Sequence, residues 1–154
     1  MERTQILPNR EATENLARRL ARLAKAGDAV MLKGPLGAGK STFARAFLRE
    51  LSGKPDLDVP SPTFTLIQSY DTPNGPVSHF DLWRLDGESA LEEMGWDEAR
   101  EGIVLVEWPD RLGSLTPEEA LVVTLSPQPS VALSNMDDGD EPREVQLEGW
   151  KGRF

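Results

Sequence analysis

The chain has no cysteine, which excludes a disulfide framework, a thiolate metal site and a cysteine nucleophile. That absence is compatible with a reducing cytosol. It has one histidine, His79; its neighbours offer no metal-ligand spacing, so it is read as a structural residue. No uninterrupted apolar stretch is long enough to cross a bilayer. Residues Met1 to Glu14 are polar and carry both signs of charge, unlike a signal peptide. A soluble, cytoplasmic protein with no membrane partner is expected. Positive charge is also scarce: Lys+Arg 17 against Asp+Glu 26 leaves a net charge of −9. Nucleic-acid affinity draws heavily on basic residues, so direct, unaided binding to RNA or DNA is not expected. Arg18, Arg19, Arg22 and Lys25 cluster locally, and are taken as the solvated face of an amphipathic helix.

At 154 residues the chain fits one domain, spanning 1–154, with no room for a separate substrate domain. Helical spacing of Leu16, Leu20, Leu23 and Ala24 predicts a helix over Arg10 to Ala26, with Asn9 as N-cap and Gly27 as stop. Asp28 to Lys33 is a short, mostly apolar strand running into glycines. A second helix is expected from Gly39 to Leu51, with Phe43, Phe47, Leu48 and Leu51 as its apolar stripe. After a proline-rich loop (Lys54 to Pro62), strands at Thr63 to Tyr70 and Val77 to Trp83 flank a turn and predict a hairpin. Short helices are expected at Ser89 to Met94 and Asp97 to Arg100. Ile103 to Val106 is apolar throughout, as in a strand buried on both faces. Further strand candidates are Ala120 to Leu125, Ser130 to Ser134 and Glu144 to Glu148, whose spacing suggests an antiparallel extension. The expected fold is an α/β P-loop NTPase-like domain, its sheet mixing parallel and antiparallel strands between flanking helices.

The segment Gly34-Pro-Leu-Gly-Ala-Gly-Lys-Ser41 meets the phosphate-loop (Walker A) pattern G-x-x-x-x-G-K-[ST] at every fixed position. Glycines let backbone N–H groups turn inward around an anion, and the following helix directs its positive end at the phosphates. The expected cradle is Leu36, Gly37, Ala38, Gly39, Lys40, Ser41 and Thr42. Lys40 reaches the β- and γ-phosphates of ATP and Ser41 offers a hydroxyl to Mg²⁺. Strand before and helix after give the motif its context. Mg²⁺ also needs a carboxylate, and Glu107 ends an apolar strand in the manner of a Walker B segment, where Asp is usual. Asp81 is a second candidate; from pattern alone a charge in a solvated hairpin is the better reading of it. Trp108 either stacks on a nucleotide or partner or packs in the core. Ser61-Pro-Thr-Phe-Thr65 is read as a turn, with a γ-phosphate-sensing loop as the alternative. The acidic run Asp137 to Glu141 lacks calcium-loop spacing and is read as a solvated turn.

Taken together, five segments resemble the TsaE family of small bacterial P-loop ATPases. They are Gly34 to Thr42, Ser61-Pro-Thr-Phe64, His79-Phe-Asp-Leu-Trp-Arg84, Glu92-Glu-Met-Gly95 and Val106-Glu-Trp-Pro109, in the family's order. The resemblance implies ATP binding and hydrolysis, weak alone and partner-activated, in threonylcarbamoyladenosine formation at adenosine 37 of tRNA. It implies TsaB and TsaD as partners, with tRNA met only through their complex. It further implies that Ser41 and Glu107 hold Mg²⁺ and that Asp81, also a metal candidate, is needed for hydrolysis. Arg10, Thr13, Trp108 and Arg143 are implied beside the nucleotide. The chain departs from the family at Pro35 (usually Asp), Ser41 (usually Thr) and Trp83 (usually Tyr); serine keeps the metal-binding hydroxyl. Two other readings of the loop are a small-molecule kinase, which needs an acceptor pocket and an arginine-bearing lid, and a non-hydrolysing nucleotide-dependent adaptor.

Overall fold

A computed structural model describes residues 2–35, 39–59, 67–73, 75–82, 88–127 and 142–150. Its elements are β1 (Glu2–Leu7), α1 (Arg10–Leu23), β2 (Ala29–Lys33), α2 (Lys40–Ser52), β3 (Ile67–Thr72), β4 (Gly75–Asp81), α3 (Glu88–Glu93), α4 (Trp96–Ala99), β5 (Ile103–Glu107), β6 (Leu121–Pro127) and β7 (Arg143–Glu148). Among the described residues seven strands form one sheet in the order β1-β7-β6-β2-β5-β4-β3. Strands β6, β2, β5 and β4 run parallel; β3, β7 and β1 are added antiparallel at the two sides. The expected P-loop NTPase-like fold with a mixed sheet is therefore observed.

The central position of β2 and β5 follows from their composition. Val30, Met31, Leu32 and Ile103 to Val106 are apolar on both faces and fully buried, which only an interior parallel strand can use. Alternation along each strand sends its residues to two cores. On one face Val30, Leu32, Val77, Ile103 and Leu105 pack against Leu16 and Leu20 of α1 and Phe43 and Phe47 of α2. On the other, Met31, Phe80, Val104 and Val106 pack against Leu91, Trp96 and Leu112. Burying each of the two phenylalanines of α2 stabilises the fold by about 1.5–3 kcal/mol. These helix contacts hold α2 beneath the carboxyl ends of β2 and β5.

Helix α1 starts where its cap predicts: the Asn9 side chain accepts from Ala12 N–H at 2.9 Å. It ends at Leu23 rather than Ala26, because Ala24 turns extended (φ −77°, ψ 144°) and Gly27, at φ 93°, redirects the chain into β2. The basic cluster lies largely on its outer face, with Arg18 near Glu14 (3.9 Å) and Arg22 near Glu50 (3.5 Å). Strand β6 pairs parallel with β2, so the antiparallel extension begins one strand later than expected, at β7. Strand β1 was not expected at all, nor was the 3-10 stretch Pro109–Leu115. The strand proposed at 130–134, the acidic turn 137–141, the segment 61–66 and the pair Trp83-Arg84 lie outside the described residues.

Candidate functional site

Strand β2 lies between β5 and β6, and its carboxyl end is where the chain leaves for α2. In open α/β sheets this is the edge at which ligands bind. Gly39 precedes α2 at φ 99°, ψ 10°, a backbone state that glycine adopts without strain. Among the described residues no side chain caps α2, and its first turn holds no acidic residue. A helix start of that kind suits an anion. Leu36, Gly37 and Ala38 lie outside the described residues. Ser41 is exposed and Thr42 half-buried, both in the first turn of α2.

Lys40, by contrast, is buried, and its Nζ makes no hydrogen bond among the described residues. It stands over the Trp108 ring, 3.7 Å from the centroid. Burial pushes its pKa below the ordinary lysine value, against the opposing pull of Glu107 and then Asp81. A buried ammonium with no hydrogen-bond acceptor carries an unmet desolvation cost. A phosphate oxygen satisfies that cost directly.

Both carboxylates stand at strand ends. Parallel pairing sets Asp81 opposite Glu107 and Leu32 opposite Glu107. Val77 and Leu105 face the α1–α2 side, so by alternation His79, Asp81 and Glu107 project to that same side. All three are buried. The hairpin-charge reading of Asp81 is thereby replaced: it is an interior carboxylate within the electrostatic reach of Lys40. His79 Nε2 lies 2.7 Å from Glu107 Oε2, a contact that the bare sequence did not disclose. Its available signal was the two-residue offset from Asp81, which places both on one strand face.

Among the described residues no three His, Asp or Glu side chains cluster as a metal cage. Mg²⁺ does not need one, since it usually takes one or two carboxylates and completes its shell with phosphates and water. Ser41, Asp81 and Glu107 are oxygen donors of that kind, and Lys40 is matched to phosphate. The residues fit the pair.

Trp108 follows Glu107 in a left-handed conformation (φ 58°, ψ 53°), which costs a non-glycine residue about 1–2 kcal/mol. Pro109 disfavours the right-handed helical alternative for the residue before it. The bend opens a cavity of about 240 Å³ between Lys33 to Pro35 with Lys40 and the segment Trp108 to Asp110. Lys33 and Asp110 approach across its mouth at 3.9 Å, both exposed.

Arg143 opens β7, opposite Leu7 of β1. It is buried, and its side chain covers Gly39 so closely that a Cβ there would lie 3.3 Å from Nε. Arg10 is exposed at the first position of α1, and Thr13 is buried one turn on. Register alone carries the starts of α1 and β7 to one corner, since Leu7 pairs with Arg143 three residues before Arg10.

Comparison with known proteins identifies the family and the fold. Residues 7–133 match the family model for the threonylcarbamoyl adenosine biosynthesis protein TsaE. The tRNA threonylcarbamoyladenosine biosynthesis protein TsaE of Aquifex aeolicus is 42% identical over 106 residues, 69% of this chain and 76% of that protein. Its namesake from Bacillus subtilis is 35% identical over 148 residues, 95% and 85% of the two chains. The crystal structure of Bacillus subtilis YdiB superposes with a TM-score of 0.73 at 29% identity, covering 100% of this chain and 89% of that one.

Proposed function

The chain belongs to the TsaE family and so to tRNA threonylcarbamoyladenosine biosynthesis, and from that premise we propose that it is a Mg²⁺-dependent ATPase acting with TsaB and TsaD. One observation carries the activity: at the start of α2 a buried lysine, whose Nζ has no hydrogen-bond partner among the described residues, lies within the electrostatic reach of two buried carboxylates. In this reading Lys40 binds the β- and γ-phosphates and the N–H groups at the start of α2 orient them. Ser41 and Glu107 hold Mg²⁺, which when bound neutralises charge developing on the transferring phosphoryl group. Asp81 serves the metal or the attacking water. Arg143 lies against Gly39 and Thr13 lies in the helix that starts beside it; these, with Arg10 and Trp108, surround the nucleotide.

The partner reading rests on the family and on charge. A net charge of −9 disfavours a polyanion, so tRNA is met through the TsaB–TsaD complex. No described helix is long and apolar enough to cross a membrane. The test is ATP binding by calorimetry with and without Mg²⁺, followed by turnover with TsaB and TsaD present. Absence of Mg²⁺-dependent ATP binding would exclude the ATPase. Binding without any turnover, even with both partners, would instead favour a nucleotide-dependent adaptor.

A further inference from the structure

We propose that His79 is a positioning residue for this site: its Nε2–H fixes the Glu107 carboxylate so that the remaining oxygen faces the metal of Mg²⁺–ATP. The proposal rests on the ATPase reading and adds to it a residue that the sequence presents as merely structural.

The contact is short, 2.7 Å between His79 Nε2 and Glu107 Oε2, and both partners are buried. A hydrogen bond to a carboxylate of that length is charge-assisted and strong. It does not follow from simple strand pairing. The register sets His79 beside Leu105, and Glu107 beside Asp81. The imidazole therefore reaches one pleat forward along the sheet to the carboxylate beyond its own neighbour.

Two consequences make that reach useful. Carboxylates directly opposite each other on adjacent strands repel, and Asp81 and Glu107 are such a pair. An N–H that draws Oε2 back toward the interior relieves the repulsion from one side. Glutamate also has one more side-chain torsion than the aspartate usual at a Walker B strand end. A tether at Oε2 removes that freedom and leaves Oε1 as the oxygen presented to the metal.

The other ring nitrogen identifies the tautomer. Nδ1 is buried and has no hydrogen-bond partner among the described residues. An N–H there would be a buried donor left unpaired, which is costlier than an unpaired lone pair on an acceptor. The proton therefore sits on Nε2, where it is donated to Glu107. Partners of this kind orient metal-binding carboxylates, and their loss typically weakens metal affinity about 10–100-fold.

The test measures Mn²⁺ binding by electron paramagnetic resonance on the intact protein saturated with a non-hydrolysable ATP analogue. His79→Leu removes the donor at similar size; His79→Gln returns an N–H near the position of Nε2. The expected result is Mn²⁺ affinity lowered roughly 10–100-fold in His79→Leu and restored most of the way in His79→Gln, with metal-free ATP affinity equal in all three proteins. Unchanged Mn²⁺ affinity in His79→Leu overturns the proposal. Equal loss in both variants also overturns it, because a packing role does not distinguish the donor. Glu107→Ala is measured alongside: normal Mn²⁺ binding there would put the failure in the metal role assigned to Glu107, and the tether would fall with it. A second measurement needs no variant. His79 is the sole histidine, so ¹⁵N resonances of its ring are unambiguous; a proton on Nδ1 alone overturns the proposal.

Discussion

The Lys40 ammonium rests on the face of the Trp108 indole, 3.7 Å from the ring centroid. Such contacts are worth about 0.5–2 kcal/mol, less than a charge-assisted bond to phosphate. The ring holds the lysine in place while leaving it a better partner to find. Lys40→Met keeps the stem and removes the charge. It should weaken ATP binding roughly 10–100-fold, as expected for losing a hydrogen bond to a charged group worth about 1.5–3 kcal/mol. The nucleotide-free melting temperature should stay the same or rise, because the charge is buried at a net cost. Calorimetry and thermal melts check the pair of outcomes; a lowered melting temperature with unchanged ATP affinity would make Lys40 a structural residue.

The same lysine sets a pH dependence. Burial holds its pKa below the ordinary value in the nucleotide-free site, despite Glu107 and Asp81. Bound polyphosphate raises it, since an opposite charge favours the protonated form. Between the two pKa values binding takes up a proton, so ATP affinity falls as pH rises through that window and is independent of Lys40 below it. Calorimetry in buffers of different ionisation enthalpy should reveal the uptake, and Lys40→Met should abolish it. Stability follows the opposite course. The unfolded chain holds the Lys40 proton more tightly, so this residue makes the empty protein more stable as pH rises across its window. Tyr70 opposes that trend: burial and then Asp58 raise its pKa, so its contribution is lost at high pH. Binding, not melting, is therefore the cleaner readout.

Asp81→Ala and Glu107→Ala should separate catalysis from binding. In the proposed reading both serve the metal and the attacking water, while Lys40 and the start of α2 hold most of the nucleotide. Turnover with TsaB and TsaD should fall at least about 10²-fold, the scale for removing one stabilising group from a transition state. ATP affinity without metal should change far less. Equal losses in both quantities would mean that the carboxylates support folding or ground-state binding.

These assignments were unequally visible before the fold was known. The start of α1 with its Asn9 cap and the two central strands are local patterns, and each occurs where residue spacing places it. Strand β1 was invisible because Glu2-Arg-Thr-Gln-Ile-Leu7 has two apolar residues and owes its state to pairing with β7 at the far end of the chain. The 3-10 stretch after Trp108 depends on a left-handed turn that no periodicity announces. The contact of His79 was hidden for a similar reason. Its partner lies 28 residues away, and only the parallel register of β4 and β5 brings them to one face. Arg143 likewise meets Gly39 through strand order rather than through any motif.

Partner activation is the remaining expectation. In the proposed reading Arg10 and Arg143 lie beside the nucleotide and neither is given the γ-phosphate, so a partner that supplies positive charge there would speed phosphoryl transfer. Slow hydrolysis alone should therefore give way to faster turnover when TsaB and TsaD are added. The cavity between the start of the phosphate loop and Trp108 to Asp110 is open to such a contribution in trans. Trp108 borders it directly; Thr63 belongs to the segment outside the described residues and enters by resemblance alone. Thr63→Ala and Trp108→Ala should reduce the partner-induced acceleration by roughly tenfold or more, a loss of about 1.4 kcal/mol in transition-state stabilisation. ATP affinity should stay within a few-fold of the parent in Thr63→Ala, whereas Trp108→Ala, which also removes the ring under Lys40, should lose more of the acceleration than of the affinity. The strained backbone at Trp108 supplies the control, since alanine there keeps the conformational cost while losing the ring. Circular dichroism distinguishes the alternatives: a packing role predicts a lower melting temperature in step with lost turnover, whereas a coupling role predicts intact melting. If TsaB and TsaD neither bind this chain nor alter its turnover, partner activation is refuted, and the Mg²⁺–ATP site stands or falls on the Lys40 and Glu107 variants.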